Sequence, residues 1–312
     1  EGHCMTNELA PVVVFAYNRP THLKRTLDAL SVCRLADRSC IHVFADGARN
    51  AAAQEGVAGV RRLLEEEAKA GRFASFQVYA ATTNQGLARS IIGGVGRILE
   101  KYDRVIVLED DLIVSCDFLE FMNACLDYYA NDPAVGSVTG FCPLESVPGH
   151  DRSEVFMVSR NSSHGWATWR RVWVDVDWTA ATAVDLEKDW SLRRKFNREG
   201  NDRYDRLRRQ LAGRIDSWSI RFGLSLFTRG LGTVYPVANR VQNIGYDGSG
   251  VHCGFGESKN ARISEAAYVL NALEIDGRLQ REFYRVYSGG FSGRLLRDLL
   301  AFWPGLAGWI GR

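Results

Sequence analysis

Several features that would mark a membrane or secreted protein are missing from this sequence. Its 312 residues contain no apolar run of the roughly 20 residues that a membrane-spanning helix needs. No N-terminal basic region is followed by an apolar segment, as in a secretory signal peptide. The seven cysteines form no C-x-x-C pair and no metal-type spacing with histidine, and an odd count without a framework favours a reducing compartment. We therefore expect a cytoplasmic protein.

A strong excess of one charge is also absent. Lys and Arg number 39 against 37 Asp and Glu, and the resulting net charge of +2 is too small to indicate a nucleic-acid partner. Hydrophobic residues at 46% and charged residues at 24% are ordinary for a globular protein. The length allows one large domain or two small ones, so a sizeable core is expected.

The segment 103–113 combines a strand pattern with three adjacent acids. Residues 105–108 are apolar and mostly β-branched, which is typical of a strand buried on both faces. Glu109, Asp110 and Asp111 follow directly, where an open α/β sheet binds its ligands. Three neighbouring carboxylates favour a compensating cation, and oxygen ligands suit Mg²⁺ or Mn²⁺ shared with substrate phosphates. The alternative is a solvated acidic turn, which so short a motif does not exclude.

Three earlier segments repeat the strand pattern, at 11–17, 41–45 and 76–80, and amphipathic helical patterns separate them. This alternation predicts a parallel, right-handed α/β sheet. Polar side chains follow each strand, and we expect them to converge on one edge of the sheet. They are Asn18, Arg19, Asp46, Asn84 and the three acids.

The second half of the chain is less regular. Trp166, Trp169 and three further tryptophans lie between residues 166 and 190, either as core or as platforms for sugar rings. The basic segment 193–214 indicates a solvated helical face or mobile loop, or else a surface for an anionic acceptor or a membrane. Residues 232–237 resemble a late edge strand. The apolar segment 295–304 predicts a helix that packs on the domain or on a membrane interface.

Several short motifs occur in an order that resembles nucleotide-sugar glycosyltransferases of the GT-A fold, in particular the N-acetylglucosaminyltransferase I family, whose metal motif is also Glu-Asp-Asp. The Gly-Trp-Ala-Thr-Trp run is similar to bacterial glycosyltransferases that assemble surface polysaccharide. The likeness covers residues 11–255. The motifs are Tyr17-Asn18-Arg19-Pro20, Asp46, Asn84-Gln85-Gly86-Leu87, Glu109-Asp110-Asp111, Asp117-Phe118, Gly165-Trp166, Asp216-Ser217-Trp218 and Gly250-Val251-His252.

The resemblance implies a Rossmann-like central sheet, mostly parallel and flanked by helices. It divides the chain into a catalytic domain at 10–255, with a nucleotide-binding half at 10–112 and an acceptor-binding half at 113–255, and a helical extension at 256–312. It also assigns roles. Asp111 would ligate Mn²⁺ or Mg²⁺, Asp216 would be the general base, Trp166 and Trp218 would form an acceptor or sugar platform, and the donor would contact Arg19, Asp46, Asn84, Glu109, Asp110 and His252.

The implied reaction is metal-dependent, inverting transfer of a hexosyl or N-acetylhexosaminyl group from a nucleotide sugar, with UDP as the expected nucleotide. The acceptor would be a saccharide or lipid-linked saccharide in bacterial surface-glycan assembly, with peripheral membrane contact through residues 291–312. Two alternatives stay open. A non-catalytic carbohydrate-binding protein would explain the tryptophans. A sugar-nucleotide pyrophosphorylase would share the fold and acids, although the first strand lacks the glycine-rich loop of such enzymes.

Overall fold

The computed structural model describes residues 8–246 and 262–288, together with Leu295, Asp298 and Phe302. The strands within these ranges are β1 (Val12–Ala16), β2 (Cys40–Ala45), β3 (Ser75–Ala80), β4 (Arg104–Glu109), β5 (Leu112–Val114), β6 (Val135–Thr139), β7 (Val155–Val158), β8 (Trp166–Trp169), β9 (Gly232–Pro236) and β10 (Val241–Asn243). The helices are α1 (Pro20–Ser31), α2 (Gln54–Ala70), α3 (Leu87–Leu99), α4 (Phe118–Tyr128), α5 (Arg170–Trp173), α6 (Ala183–Lys188), α7 (Trp190–Phe196), α8 (Asp202–Leu211), α9 (Trp218–Thr228) and α10 (Leu279–Tyr287).

Eight strands form one sheet in the order β3-β2-β1-β4-β8-β6-β9-β7. The first four run parallel to one another, β8 is antiparallel to both of its neighbours, and β7 is antiparallel to β9. Strands β5 and β10 form a separate antiparallel pair. The predicted α/β architecture with a mostly parallel sheet is confirmed, and its strand order brings the predicted first and fourth strands side by side.

Hydrophobic spacing explains how the helices cover this sheet. All five residues of β1 are buried, as expected for a strand with neighbours on both sides and helices on both faces. Helix α1 turns Leu23, Leu27 and Leu30 inward, and each is 0% exposed. Burying one such side chain contributes about 1.5–3 kcal/mol, so this helix is held mainly by its apolar stripe.

Two strands of the second half differ from the sequence-based expectation. The predicted edge strand at 232–237 is wrong, because β9 lies between β6 and β7 and pairs with both. The tryptophan run at 166–169 is itself a strand, β8, which joins the parallel half to the rest of the sheet. Both β7 and β8 are four residues long, too short for their alternation to be distinguished from a buried loop.

The basic segment 193–214 is not a uniformly solvated face. It folds as parts of α7 and α8 with a short turn between them. Arg193 and Arg203 are buried, and the guanidinium of Arg203 lies 3.5 Å from the Glu199 carboxylate. The guanidinium of Arg193 donates to the Leu186 and Glu187 carbonyls of α6. A buried charge requires such partners, so these two arginines link neighbouring segments rather than solubilise the surface.

Residues 262–288 pack on the domain. The Val269 amide donates to the Ser153 carbonyl, and Ile275 forms a parallel bridge with Met157 of β7. Helix α10 buries Phe283 against Tyr235, with 5.2 Å between ring centroids. Beyond residue 288, the described Phe302 meets Trp190 edge to face. Nowhere in the described ranges is a helix both long and apolar enough to cross a membrane.

Candidate functional site at the carboxyl edge of the parallel strands

Parallel register brings the predicted polar residues to one edge of the sheet. Strand β1 lies between β2 and β4, with Ala16 opposite Ala45 and Phe15 opposite Glu109. The three strands therefore end at the same level. The amide of Asp46 donates to the Ala16 carbonyl at 2.9 Å, which continues the ladder one residue beyond β2.

Arg19 joins two of the three acids. Its guanidinium hydrogen-bonds to the Asp110 carboxylate and, at 2.9 Å, to Asp111 Oδ2. The backbone around Asp110 is also fixed, because the Tyr17 amide donates to its carboxylate at 3.2 Å and the Thr26 hydroxyl donates to its carbonyl at 2.9 Å. The start of α1 and the end of β4 are thus linked through charge-assisted hydrogen bonds.

The cluster holds more negative charge than Arg19 compensates. Burial raises the pKa of Glu109 to about 8, and repulsion from Asp111 and Asp110 adds to the rise. Burial also raises the pKa of Asp110, against the stabilising charge of Arg19. Burial would lower the pKa of Arg19, but the two aspartates raise it above its ordinary value. A second cation at this edge would relieve the remaining repulsion.

Asp46 organises the neighbouring loop. Its Oδ1 accepts from the Gly47 and Gln85 amides at 2.8 and 2.7 Å, and its Oδ2 accepts from the Gly86 amide and the Asn84 side chain at 2.9 and 3.0 Å. Asn84 also donates to the Gly47 carbonyl at 2.9 Å. The carboxylate of Asp46 is therefore fully occupied within the protein, and it holds the loop of residues 84–86 in place.

Two other predicted residues are not joined to this cluster. The Asp216 side chain is 66% exposed and forms an ion pair with Arg221 at 2.6 Å, in the loop before α9. No described hydrogen bond or ion pair connects it with Asp110 or Asp111. His252 lies outside the described residues.

The structure places Trp166 and Trp218 in the core. They are 0% and 3% exposed, and their rings stack with centroids 4.7 Å apart. Trp173 and Phe222 complete this aromatic cluster. A ring without an exposed face cannot receive a sugar, so the predicted platform at these two residues is replaced by a packing role.

His164 is a residue of this edge that the sequence did not single out. Strand β8 is antiparallel to β4, with Trp166 opposite Val107, so His164, two residues before β8, lies at the end of β4 that carries the acids. Burial lowers the pKa of His164, while the charge of Asp111 raises it. A four-residue strand and its pairing register were the signals required to find this histidine, and neither can be inferred from the sequence.

Comparisons with known proteins bear on the fold. No protein-family model matches the chain, and a search of curated proteins finds no significant match. Among solved structures, GalNAc-T7 with UDP, GalNAc and Mn²⁺ matches at a TM-score of 0.50 and 10% identity, over 76% of this chain and 44% of that one. The chain has the GT-A fold.

Two further solved structures match at TM-scores below 0.5. The mannosyltransferase PcManGT from Pyrobaculum calidifontis, in complex with GDP-Man and Mn²⁺, has a TM-score of 0.37 and 18% identity, over 53% of this chain and 46% of that chain. A cytidylyltransferase from Leptospira borgpetersenii has a TM-score of 0.34 and 14% identity, over 54% and 63%. This chain spans less than two thirds of the length of each of the three matched structures.

The edge residues of this GT-A fold suit a hard divalent cation. Asp110 and Asp111 present carboxylate oxygens, and the charge on Glu109 is destabilised by both. Among the described residues, no three His, Cys, Asp or Glu side chains form a ready set of ligands. A Mg²⁺ or Mn²⁺ ion that keeps several waters and shares substrate phosphates needs only one or two protein carboxylates. The residues at this edge therefore fit such an ion.

The backbone at Gly245 packs directly against the side chains of Asp111 and Arg19. A Cβ atom added there would lie 2.2 Å from Asp111 Oδ2 and 3.0 Å from the Arg19 guanidinium. We expect Gly245→Ala to displace the Asp111 carboxylate, since it is the end of a side chain, while the fold persists. Returning the carboxylate to its place for binding should cost about 1–3 kcal/mol, the usual range for overpacking, which corresponds to a loss of about 5- to 150-fold in affinity for a nucleoside diphosphate with Mn²⁺. Calorimetric titration with a nucleoside diphosphate and Mn²⁺ measures it.

Gly93→Ala is the matched control. Gly93 lies in α3, and a Cβ atom there meets nothing within 4 Å. Alanine is favoured over glycine in a helix by about 0.8–1 kcal/mol, so this variant should be as stable as the wild type or more so and bind the donor normally. Equal donor affinity in Gly245→Ala and Gly93→Ala would show that the close approach at Gly245 has no bearing on the site.

Proposed function

We propose that this protein is a metal-dependent glycosyltransferase that transfers a sugar from a nucleotide sugar to a hydroxyl group of a saccharide or lipid-linked saccharide. The observation that carries the proposal is the contact of Arg19 with Asp110 and Asp111 at the carboxyl edge of four parallel strands. GalNAc-T7, which shares the fold, was crystallised with UDP, GalNAc and Mn²⁺, and this supports a nucleotide sugar and a divalent cation here.

Each edge residue has a role in this proposal. Asp111 would hold Mn²⁺ or Mg²⁺, and Arg19 would exchange part of its contact with the acids for the donor diphosphate. Glu109 and Asp110 would lie against the ribose and the donor sugar. Asp46 would support the loop of Asn84, which meets the nucleotide base. His252, outside the described residues, would close over the diphosphate.

The reaction is a single displacement. The acceptor oxygen forms a bond to the anomeric carbon as the bond to the diphosphate oxygen breaks, and the configuration inverts. A divalent ion held by Asp111 would supply charge stabilisation to the departing diphosphate. Arg19 would stabilise the same negative charge, which grows in the transition state. The proton of the acceptor hydroxyl would pass to Asp216, whose carboxylate is exposed and oriented by Arg221.

The finer assignments belong to the same proposal. UDP is the nucleotide, the transferred group is a hexosyl or N-acetylhexosaminyl unit, and the product serves bacterial surface-glycan assembly at the cytoplasmic side of a membrane. Peripheral membrane contact through residues 291–312 would bring the enzyme to a lipid-linked acceptor. The contact of Phe302 with Trp190 supports an alternative, in which the same segment packs on the domain.

A panel of nucleotide sugars tests the proposal. The purified protein is incubated with Mn²⁺ and UDP-, GDP-, CDP- or dTDP-linked sugars, with and without simple saccharide acceptors, and the released nucleotide is identified. We expect slow release of a nucleoside diphosphate from at least one donor, because an active transferase hydrolyses its donor when the acceptor is absent. Addition of EDTA should stop the release.

Other products would support the competing functions. Formation of a nucleoside triphosphate from the sugar nucleotide and pyrophosphate would identify a pyrophosphorylase. Binding of saccharides without release of any nucleotide would identify a carbohydrate-binding protein. Either result would contradict the proposed transfer.

A further inference from the structure

A basic cavity of about 210 Å³ lies beside the proposed donor site. It is lined by residues 160–164 of the loop that leads into β8, by Arg203 and Arg206 of α8, and by Ser219 of α9. Typical pockets for whole drug-sized ligands measure roughly 300–1,000 Å³, so this cavity suits one group of a larger ligand. A wider depression of about 790 Å³ around residues 274–285 contains none of the predicted site residues.

Two of the three arginines of the cavity have acidic partners. Arg160 forms a bidentate pair with Asp202 at 2.8 Å and stacks on Tyr287 at 3.6 Å. Arg203 is paired with Glu199 at 3.5 Å and donates to the Phe196 carbonyl at 3.0 Å. These two guanidinium groups are held in place by the protein itself and form the frame of the cavity.

Arg206 has no such partner. Within the described part of the chain it forms no ion pair, and its guanidinium contacts only the hydroxyls of Ser217 and Ser219, each at 3.3 Å. Burial and the charge of Arg160 lower its pKa and outweigh the opposite effect of Asp202, whose carboxylate is paired with Arg160. An arginine stays protonated in proteins, so the cavity keeps a net positive charge.

The cavity also borders the proposed chemistry. His164, which lines it, lies in the loop just before β8, at the end of β4 that carries Glu109. Ser219, which also lines it, is three residues from Asp216, the proposed base. An anionic group seated on Arg206 would therefore lie near both the donor edge and the segment that carries Asp216.

We infer that this cavity binds an anionic group of the acceptor, with a phosphoryl group as the ligand chemistry that fits it. Arg206 supplies the charge, and the hydroxyl of Ser219 together with the polar loop at 161–164 supplies hydrogen-bond partners. The inference rests on the proposed transferase function for the identity of the ligand as an acceptor. A phosphoryl group would come from a lipid diphosphate that carries a saccharide or from a soluble sugar phosphate.

A binding experiment tests the anion site without using activity. The full chain is titrated calorimetrically with inorganic pyrophosphate in EDTA, so that no metal site contributes. The variant Arg206→Gln loses a charge-assisted hydrogen bond to the anion, so its affinity for pyrophosphate should be about 10- to 100-fold weaker than that of the wild type. Arg209→Gln, on the exposed face of the same helix, should bind as the wild type does, and so should Asp111→Asn.

Kinetic measurements distinguish the acceptor from the donor and identify the source of the phosphate. Three acceptors share one monosaccharide: a medium-chain lipid diphosphate, the sugar 1-phosphate and a neutral alkyl glycoside. For the anionic acceptors, Arg206→Gln should raise the acceptor KM by about 10-fold or more while the donor KM is unchanged. A rise in KM for the lipid diphosphate alone would identify a lipid-linked acceptor. A rise in KM for both the lipid diphosphate and the sugar 1-phosphate would show that the cavity recognises the phosphoryl group itself.

Several results would overturn the inference. In the binding experiment, these are a wild type that does not bind pyrophosphate, or equally weakened binding in Arg206→Gln and Arg209→Gln. In the kinetic experiment, they are a rise in the donor KM of Arg206→Gln instead of its acceptor KM, or an equal rise in KM for the neutral glycoside. Failure of the proposed function would look different. Pyrophosphate would still bind in the Arg206 cavity, but no nucleotide sugar would release a nucleoside diphosphate.

Discussion

Asp111→Asn is expected to remove the dependence of donor binding on Mn²⁺ and to reduce transfer by about 10³-fold or more. A divalent ion at a departing phosphate supplies several kcal/mol of charge stabilisation, and each 1.36 kcal/mol corresponds to a factor of about ten in rate. Asparagine keeps the shape of Asp111 but removes the charge that would hold the ion. Arg19 retains its contact with Asp110, so the fold should survive.

Calorimetric titration with UDP or the active nucleotide, with Mn²⁺ or EDTA, measures this effect. Asp103→Asn is the matched control, because Asp103 is an exposed aspartate just before the opposite end of β4 and pairs with Arg170 at 3.2 Å. It should bind the donor and turn over normally. Donor affinity that is the same in EDTA as in Mn²⁺ for the wild type, or normal turnover in Asp111→Asn, would refute the metal assignment.

Asp216→Asn is expected to abolish transfer selectively. A positioned general base contributes about 10² to 10⁴-fold, so turnover on the acceptor should fall by that factor. Affinity for the donor should stay unchanged, since no described contact links Asp216 with the residues at the sheet edge. Single-turnover transfer assays, together with donor titration, separate the two quantities.

Asp175→Asn is a closely matched control for Asp216→Asn. Asp175 is 63% exposed and pairs with Arg229 at 3.2 Å, whereas Asp216 is 66% exposed and pairs with Arg221 at 2.6 Å. The control removes an equivalent surface ion pair, which is worth about 0–1 kcal/mol. Near-normal turnover of Asp216→Asn, or an equal loss in both variants, would exclude Asp216 as the base.

Local pattern accounts for the parallel half of the fold. Helix α3 (residues 87–99) is one of the amphipathic patterns predicted between the strands, and β4 ends at Glu109, just after its apolar run stops. The contact among Arg19, Asp110 and Asp111 follows from the same pattern, because adjacent parallel strands must end at one edge. Hydrophobic periodicity predicts a helix or strand well when the element is long and packs against elements that are close to it in the sequence.

The second half shows what local pattern does not contain. Trp166 and Trp218 could not be distinguished from surface aromatics, because their burial depends on stacking across β8 and α9. The pairing of Arg203 with Glu199 and of Arg160 with Asp202 depends likewise on how α8 packs. The sequence does not distinguish Arg206 from the other arginines of this segment. The structure does, because Arg160 and Arg203 have acidic partners whereas Arg206, among the described residues, contacts only the hydroxyls of Ser217 and Ser219.

A crystal structure with Mn²⁺ and a nucleoside diphosphate, with anomalous scattering recorded at the manganese edge, tests the central claim most directly. The account predicts an anomalous peak about 2.0–2.2 Å from a carboxylate oxygen of Asp111, shared with oxygens of the diphosphate. A diphosphate bound elsewhere on the protein, with Asp111 still paired only with Arg19 and no manganese beside it, would contradict the account.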